Sequence, residues 1–281
     1  MVRSVNEMQA TVELLHESGK TIALVPTMGA LHDGHLSLIR LARTKADVVV
    51  TSVFVNPVQF KDGEDFDRYP RDLARDRERA SSAGSNIIFA PGVDGMYGRD
   101  HVTYVHVERI TEVLEGRFRP GHFRGVTTVV AKLFNIVRPN VAVFGQKDAQ
   151  QMVVIKRMVS ELNFGIDIVI GSIVREPDGL AMSSRNVYLS PGQRQEGVAL
   201  FQALKGAGER IRAGERSTTE IIGEMRELIS SRSSGAIEYI SIAREESLEE
   251  LDAVPPGETV VVSLAVRFGT TRLIDNIFAR N

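Results

Sequence analysis

Short apolar runs of strand length, each separated from the next by a stretch with helical spacing, restrict this chain more than any other feature. Residues 21–26 (TIALVP) and 47–55 (DVVVTSVFV) are apolar almost without interruption. Strands of that kind expect cover on both faces, as in a parallel sheet. Between them Leu36, Leu38, Ile39, Leu41 and Ala42 recur at helical spacing up to Thr44. Strand, loop, helix and strand in that order form a βαβ unit. The alternation continues with a helix at about 72–83, a strand at 86–90, a helix at 126–137, a strand at 141–144, a helix at 149–162 and a strand at 167–170. An N-terminal helix over 4–18, stopped by Gly19, precedes them all. The expected fold class is α/β: a Rossmann-like doubly wound parallel sheet, with ligands at the loops that follow the carboxyl ends of its strands.

The pattern changes after Val174. A polar segment, EPDGLAMSSRN, leads into helical spacing over 191–213 and 217–232, then into two β-like segments, 237–243 and 259–266, with Pro255-Pro256-Gly257 between them. Two domains are therefore expected, 1–174 and a smaller C-terminal α+β domain, 175–281. The length of 281 residues suits that division, since one core stops growing efficiently near this size.

Charge and composition exclude several function classes. With 34 basic against 36 acidic residues the net charge is -2, which gives no general attraction for nucleic acid or an anionic membrane, so neither is an expected partner. Cysteine is absent, which removes disulfides, thiolate metal sites and a cysteine nucleophile together. The N-terminus carries Glu7, Glu13 and Glu17 and lacks the apolar core of a signal peptide, and no apolar run approaches the roughly 18 residues of a membrane span. A soluble, cytoplasmic protein is expected.

The segment PTMGALHDGHLSLI places Gly29 after a strand and Gly34 just before a helix, with His32 and His35 three apart at the helix start. Glycine permits close backbone approach to a phosphate, and a helix N-terminus offers N–H groups with partial positive charge. Two imidazoles there can donate to phosphate oxygens as charge develops on a leaving group. On its own, H-x-G-H also fits a loop with capping histidines, while a zinc site lacks its third ligand.

Three further segments carry polar groups suited to a nucleotide or a small acid. GLAMSSRN brings Ser183, Ser184 and the forked guanidinium of Arg185 together in a polar, flexible loop that can close on a triphosphate. FGQKDAQQ follows a strand and enters a helix, with Gly145, a compact charge at Lys147, Asp148, and Gln151 one turn on. FVNPVQF sets Asn56 and Gln59 at the end of another strand, where amides can read hydroxyls and a carboxylate without imposing charge, while Phe54 and Phe60 are expected to pack. The run EGRFRPGHFRG, with Arg117, Arg119, His122 and Arg124, reads as a solvated basic loop, and Glu115 and Arg119 as candidate ligand contacts at a cleft mouth.

PTMGALHDGH, SVFVNPVQF, RYPRDL, RPGHFRGVTTVV, FGQKDAQQ, DGLAMSSRNVYL and RLIDN occur here in the order and spacing of the pantothenate synthetases, the pantoate–β-alanine ligase family of the nucleotidylyltransferase superfamily, which the chain resembles over essentially its whole length. The resemblance implies that ATP, accompanied by Mg²⁺, activates pantoate as pantoyl adenylate, and that β-alanine then displaces AMP. It implies a homodimer whose smaller domain acts as a lid. It also implies an ATP site of Thr27, Met28, Gly29, Ala30, Leu31, His32, Asp33, Gly34, His35, Gly145, Gln146, Lys147, Asp148, Val174, Met182, Ser183, Ser184 and Arg185.

Within that set the resemblance implies catalytic roles for His35, His32, Lys147, Ser183, Ser184 and Arg185, with His35 as proton donor. Gln59 and Gln151 would hold pantoate, Gln59 would border the β-alanine site, and Asn56, Tyr69, Glu115 and Arg119 follow as weaker correspondences. No metal ligands are identified. Ala149 departs from the family pattern, where many members carry an aromatic residue. A rival reading, a mononucleotide adenylyltransferase, would want more cations for its phosphate acceptor than Asn56, Gln59 and Gln151 supply; a nucleotide-binding regulatory module or an RNA-binding fragment would be the non-catalytic alternatives.

Overall fold

A computed structural model of the chain describes residues 1–61 and 63–281. It divides into two compact units, Met1–Gly145 with Val154–Gly171, and Gln146–Val153 with Ser172–Asn281.

The first unit is built on five parallel strands, β1 (Ile22–Thr27), β2 (Val48–Val53), β3 (Ile87–Phe89), β4 (Val141–Gly145) and β5 (Asp167–Gly171), in the order β3-β2-β1-β4-β5. Alternation along the strands divides the core in two. Ile22, Leu24, Val50, Phe89, Ala142 and Phe144 pack on one face against helices α1 (Val5–Glu17) and α6 (His122–Val137). Ala23, Val25, Val49, Ile88, Val141 and Val143 pack on the other against α2 (Asp33–Arg43) and α3 (Leu73–Ser82). Both faces are covered, which is why the strands read as continuous apolar runs. The doubly wound parallel sheet expected from the sequence is therefore present, and strand order reverses between β1 and β4, the place where such sheets open a crevice at their carboxyl ends.

Between these elements lie a 3₁₀ turn, Pro57–Gln59, and two single-turn helices, α4 (Val93–Met96) and α5 (Glu115–Phe118). After β4 comes α7 (Ala149–Glu161).

The second unit carries an antiparallel sheet in the order β6-β7-β8, with β6 at Ala236–Arg244, β7 at Thr259–Phe268 and β8 at Thr271–Arg280. Ile240, Ile242, Val260, Val262, Leu264 and Val266 join Leu200, Leu204, Ile211, Ile221, Met225 and Ile229 of α9 (Val198–Arg212) and α10 (Thr218–Arg232) in its core.

Three elements differ from the sequence expectation. Strand β8 is absent from that expectation, because Asp275 and Asn276 interrupt the period-two pattern. Helix α6 begins at His122, not Val126, so most of RPGHFRG is the entry to a helix and not a solvated loop. The helical stretch 191–213 is divided at Gly197 into α8 (Pro191–Glu196) and α9, with Ser190 capping the first through Gln193 N and Pro191 in its first turn. Among the described residues no helix is long and apolar enough to cross a membrane.

Candidate active site

The turn between β1 and α2 is held by a carboxylate. Asp76 of α3, 3% exposed, accepts the amides of Ala30 (3.0 Å) and Leu31 (2.8 Å). Ala30 is thereby kept at φ 50, a left-handed conformation that a residue with a Cβ adopts only under constraint. Gly29, at φ 85, has no room for a side chain, because a Cβ there would lie 2.8 Å from Asp76 Oδ2. Its glycine makes space for the protein's own carboxylate, which differs from the close approach to phosphate expected from the sequence. Burial pushes the Asp76 carboxyl above its ordinary range, and the hydrogen bonds from Leu31 and Ala30 act against that shift.

His32 is the N-cap of α2 and its carbonyl takes the His35 and Leu36 amides at 2.8 and 3.1 Å. The two imidazoles lie with centroids 4.1 Å apart. The His32 amide donates to His35 Nδ1 at 3.2 Å, so in the neutral ring Nδ1 is the acceptor and the proton sits on Nε2. His35 is thus a donor through Nε2. Asp33, at the start of α2, pairs with Arg79 of α3 at 2.7 Å, and Thr27 Oγ1 binds Ser52 O at 2.6 Å while accepting the Gly29 amide at 3.3 Å.

The amide pair after β2 has a fixed orientation. Tyr97 donates its hydroxyl to Asn56 Oδ1 at 2.8 Å, and that oxygen also takes the Val58 amide at 3.3 Å. With its oxygen so occupied, Asn56 spends its two N–H groups on Gly125 O (3.1 Å) and Gln59 Oε1 (3.0 Å). Gln59 must then present Nε2, whose partner among the described residues is the weak acceptor Met28 Sδ at 3.1 Å. The group offered here is a neutral N–H donor, matched to an oxygen acceptor. Desolvation raises the Tyr97 hydroxyl's pKa, so it stays protonated and remains a donor.

The Gln59 backbone is held as firmly. His122 Nδ1 donates to Gln59 O at 2.9 Å, and the Nε2 of the same ring accepts from Arg119 Nη1 at 3.1 Å. Arg119 also grips Glu64 through Nε at 2.9 Å. Burial would raise the Glu64 carboxyl, but the hydrogen bond and charge of Arg119 outweigh it and hold the group below its ordinary value. Gly125 lies directly against this segment, where a Cβ would be 2.6 Å from Gln59 Cα and N. Tyr69 is buried edge-on to Phe60 (6.2 Å), which in turn meets Phe66 at 5.3 Å, while Phe54 lies in the core. Glu115 is buried in α5.

In the second unit, Lys147, Ser183 and Asn186 line one recess together with Leu180, Leu273 and Asp275. Gln146 and Lys147 follow Gly145 directly, Asp148 is exposed at the entry to α7, Ala149 is buried, and Gln151 is half-buried in the first turn. The segment 174–186, expected to be flexible, is a pinned hairpin. The Met182 amide donates to Val174 O at 3.0 Å, Arg175 bridges Ala181, and Asn186 Nδ2 donates to Ala181 O at 3.1 Å. Ser183 caps the 3₁₀ turn Ser184–Tyr188 by accepting the Arg185 amide at 3.2 Å.

Sequence reasoning missed Asp76, Tyr97, the roles of His122 and Gly125, and the Arg175, Asp275 and Asn276 group. The signal available for His122 and Gly125 was position within RPGHFRG, and for Asp275 and Asn276 position within RLIDN; Asp76, Tyr97 and Arg175 had none.

The geometry is that of loops gathered at the carboxyl ends of parallel strands, with two histidines in contact at the start of α2 and an oriented amide after β2. Known proteins match the chain along its length. A family model described as pantoate-beta-alanine ligase covers residues 1–278. The pantothenate synthetase of Acetivibrio thermocellus is 50% identical over 277 residues, 99% of this chain and 98% of that protein. That of Geobacter sulfurreducens is 52% identical over 276 residues, 98% and 97% of the two chains. A crystal structure of a pantoate-beta-alanine ligase (pantothenate synthetase) from Thermus thermophilus superposes with a TM-score of 0.92 at 44% identity, covering 98% of each chain. A pantoate-beta-alanine ligase from Francisella tularensis, complexed with beta-gamma ATP and beta-alanine, gives a TM-score of 0.81 at 30% identity over 99% of this chain and 97% of that one. With the family model spanning nearly every residue and relatives of this identity covering both ends, the chain belongs to the pantoate–β-alanine ligase family.

Proposed function

We propose that this chain condenses pantoate with β-alanine in two steps, using ATP and releasing AMP and pyrophosphate. A carboxylate cannot acylate an amine directly, since oxide would have to leave. In the first step a pantoate carboxylate oxygen attacks the α-phosphorus of ATP, the P–O bond to the bridging oxygen breaks, and pyrophosphate departs. In the second, the neutral amine of β-alanine attacks the acyl carbon, the bond from that carbon to the phosphate oxygen breaks, and AMP leaves with the pair; the surplus amine proton passes to solvent.

Each group has a part matched to its chemistry. His35 donates from Nε2 to a phosphate oxygen as charge builds in the first step, with His32 beside it. Lys147, Ser183, Ser184 and Arg185 neutralise and orient the triphosphate, and residues 27–34, Gly145, Gln146, Asp148, Val174 and Met182 complete the nucleotide's surroundings. Gln59 offers its fixed N–H to a pantoate oxygen, with Gln151 as its counterpart and Asn56 as its support. Arg119 and Tyr69 act on this side by shaping the Gln59 segment. Residues 1–174 bind ATP and pantoate, and 175–281 serve as the lid. Among the described residues no group of three or more His, Cys, Asp or Glu is placed to cage a metal, which fits Mg²⁺ arriving on the triphosphate as part of the substrate. The family pattern extends the proposal to a homodimer working in the cytoplasm.

The observation that carries this reading is that the turns at 28–35 and 146–147 begin where β1 and β4 end, at the reversal of strand order. The test is exchange of labelled pyrophosphate into ATP without β-alanine. Exchange should require pantoate, and His35→Ala should lower it by roughly 10² to 10³, the scale for deleting one transition-state donor. Exchange without pantoate, or ADP in place of AMP in the full reaction, would refute the mechanism.

A further inference from the structure

Strand β8 carries two adjacent buried polar side chains, and neither takes part in the chemistry proposed above. Asp275 is 4% and Asn276 2% exposed. Consecutive strand residues face opposite sides of their sheet, so the two serve different neighbours. Asn276 Nδ2 donates to both Gln146 O (3.0 Å) and Lys147 O (2.9 Å), and its Oδ1 accepts from Gln146 Nε2 at 3.3 Å. Asp275 forks onto Arg175 at 2.6 and 3.0 Å, and also accepts the Asn276 amide at 2.8 Å. Arg175 is further fixed by donating to Gly179 O at 3.1 Å and by lying 3.7 Å over the Phe201 ring.

Two peptide carbonyls that point at one amide nitrogen are a demanding arrangement. Both need a donor, and among side chains only a primary amide, an ammonium or a terminal guanidinium nitrogen supplies two N–H groups from one atom, the amide alone doing so without charge. Burial at Asn276 leaves water no easy access to replace it. The carbonyls it holds belong to the peptides on either side of the Lys147 Cα, so Asn276 fixes the direction in which the lysine side chain leaves the backbone. Asp275 performs the same service for the other cation-bearing segment, since Arg175 opens the hairpin that ends at Ser183, and Lys147, Ser183 and Asp275 line one recess.

We propose that Asn276 is a positioning residue for Lys147, setting the lysine for the adenylation half-reaction, with Asp275 anchoring the hairpin beside it. This rests on the phosphate role given to Lys147 above. If the lysine serves the departing pyrophosphate, misplacing it slows the first half-reaction and leaves the second, in which no pyrophosphate departs, nearly untouched.

The experiment compares both half-reactions in the full-length protein: pantoate-dependent pyrophosphate exchange, and amide formation from preformed pantoyl adenylate with β-alanine. The variants are Asn276→Ala, the isosteric Asn276→Asp, Lys147→Ala and the Asn276→Ala/Lys147→Ala double. Misfolding lowers both half-reactions equally, so their ratio reports positioning whatever fraction of each variant is folded. Exchange should fall about 10²-fold in Asn276→Ala, the scale of an ångström-sized misplacement, and at least as far in Asn276→Asp, whose carboxylate repels both carbonyls. The second half-reaction should stay within about threefold, and the double variant should exchange no more slowly than Lys147→Ala alone, as expected of residues acting as one unit. Wild-type exchange in Asn276→Ala, an unchanged ratio, or full additivity in the double would overturn the positioning role while leaving Lys147's own role standing. Wild-type exchange in Lys147→Ala would remove that role and this inference with it.

Discussion

Replacing Gly125 by alanine separates two effects of opposite sign. The residue is in the first turn of α6 at ordinary helical geometry, and in an exposed helix the change from glycine to alanine stabilises by about 1 kcal/mol. Here the new Cβ would lie 2.6 Å from Gln59 Cα, Gln59 N and Val58 O, where ordinary contact begins near 3.4 Å. The difference, about 0.8 Å, must be met by moving backbone, since no flexible side-chain end is in the way. That backbone is tied to His122 through Gln59 O and to α6 through Asn56, so the displacement strains several bonds together. Overpacking of this kind costs about 1–3 kcal/mol, enough to cancel or exceed the helix gain. Function should suffer more than stability, because Gln59 moves by most of an ångström, a misplacement worth up to about 10² in rate. Pantoate titrations of pyrophosphate exchange should show kcat/KM for pantoate lowered at least about tenfold with the KM for ATP little changed, and thermal unfolding should show no gain in Tm. A Gly125→Ala protein that melts higher than wild type and binds pantoate equally well would refute the claim that close approach of α6 places Gln59.

Tyr97→Phe removes the hydroxyl donor to Asn56 Oδ1; about 0.5–1.5 kcal/mol of stability should go with it, and the pantoate KM should rise several-fold as Gln59 regains freedom to flip, an outcome contradicted if stability falls and the KM does not move. Asp76 offers a pH signature. Its carboxyl is raised by burial, so protonation on acidification begins above the ordinary aspartate range and places a donor where the Ala30 and Leu31 amides already point. Wild-type exchange should therefore decline through that window, whereas Asp76→Asn, which keeps one acceptor at every pH, should start lower and stay flat there; parallel acid limbs would sink the assignment. The stability effect has the other sign. A raised native carboxyl pKa means the folded state takes up its proton first, so this group's contribution weakens as pH rises through the window, and at neutral pH Asp76→Asn should lose less stability than activity.

The first unit is legible in the sequence because burial on both sheet faces writes itself into the strands as unbroken apolar runs, and because each turn of the candidate site in that unit begins where such a run stops. Strand β8 is not, since Asp275 and Asn276 satisfy partners far away in the chain, Arg175 at one and the Gln146 and Lys147 carbonyls at the other. A local pattern carries no record of those partners. The start of α6 is obscured in the same way. Arg119 and His122 read as solvated charge, yet they are spent on Glu64 and Gln59 O. The polarity of 174–186 suggests mobility for the same reason, since composition cannot distinguish polar groups facing water from polar groups facing one another.

The β1–α2 turn is built differently from a glycine-rich phosphate loop, which bears on the phosphate role proposed for its histidines. A glycine-rich phosphate loop works by leaving successive backbone amides unspent and aimed at the ligand. Here the amides of Ala30 and Leu31 go to Asp76, that of His32 to the His35 ring, and those of His35 and Leu36 to the His32 carbonyl. Five of the seven amides from residue 30 to 36 are thus committed inside the protein, and one of their acceptors is a carboxylate, which disfavours a second anion close by. That leaves an anion approaching this turn the amides of Asp33 and Gly34, the first two of α2, together with the side chains. The hydrogen bond from the His32 amide that occupies His35 Nδ1 also leaves the neutral ring's proton on Nε2, so the same closure that spends most of these backbone amides turns the imidazole into the N–H donor that the proposed phosphate role requires.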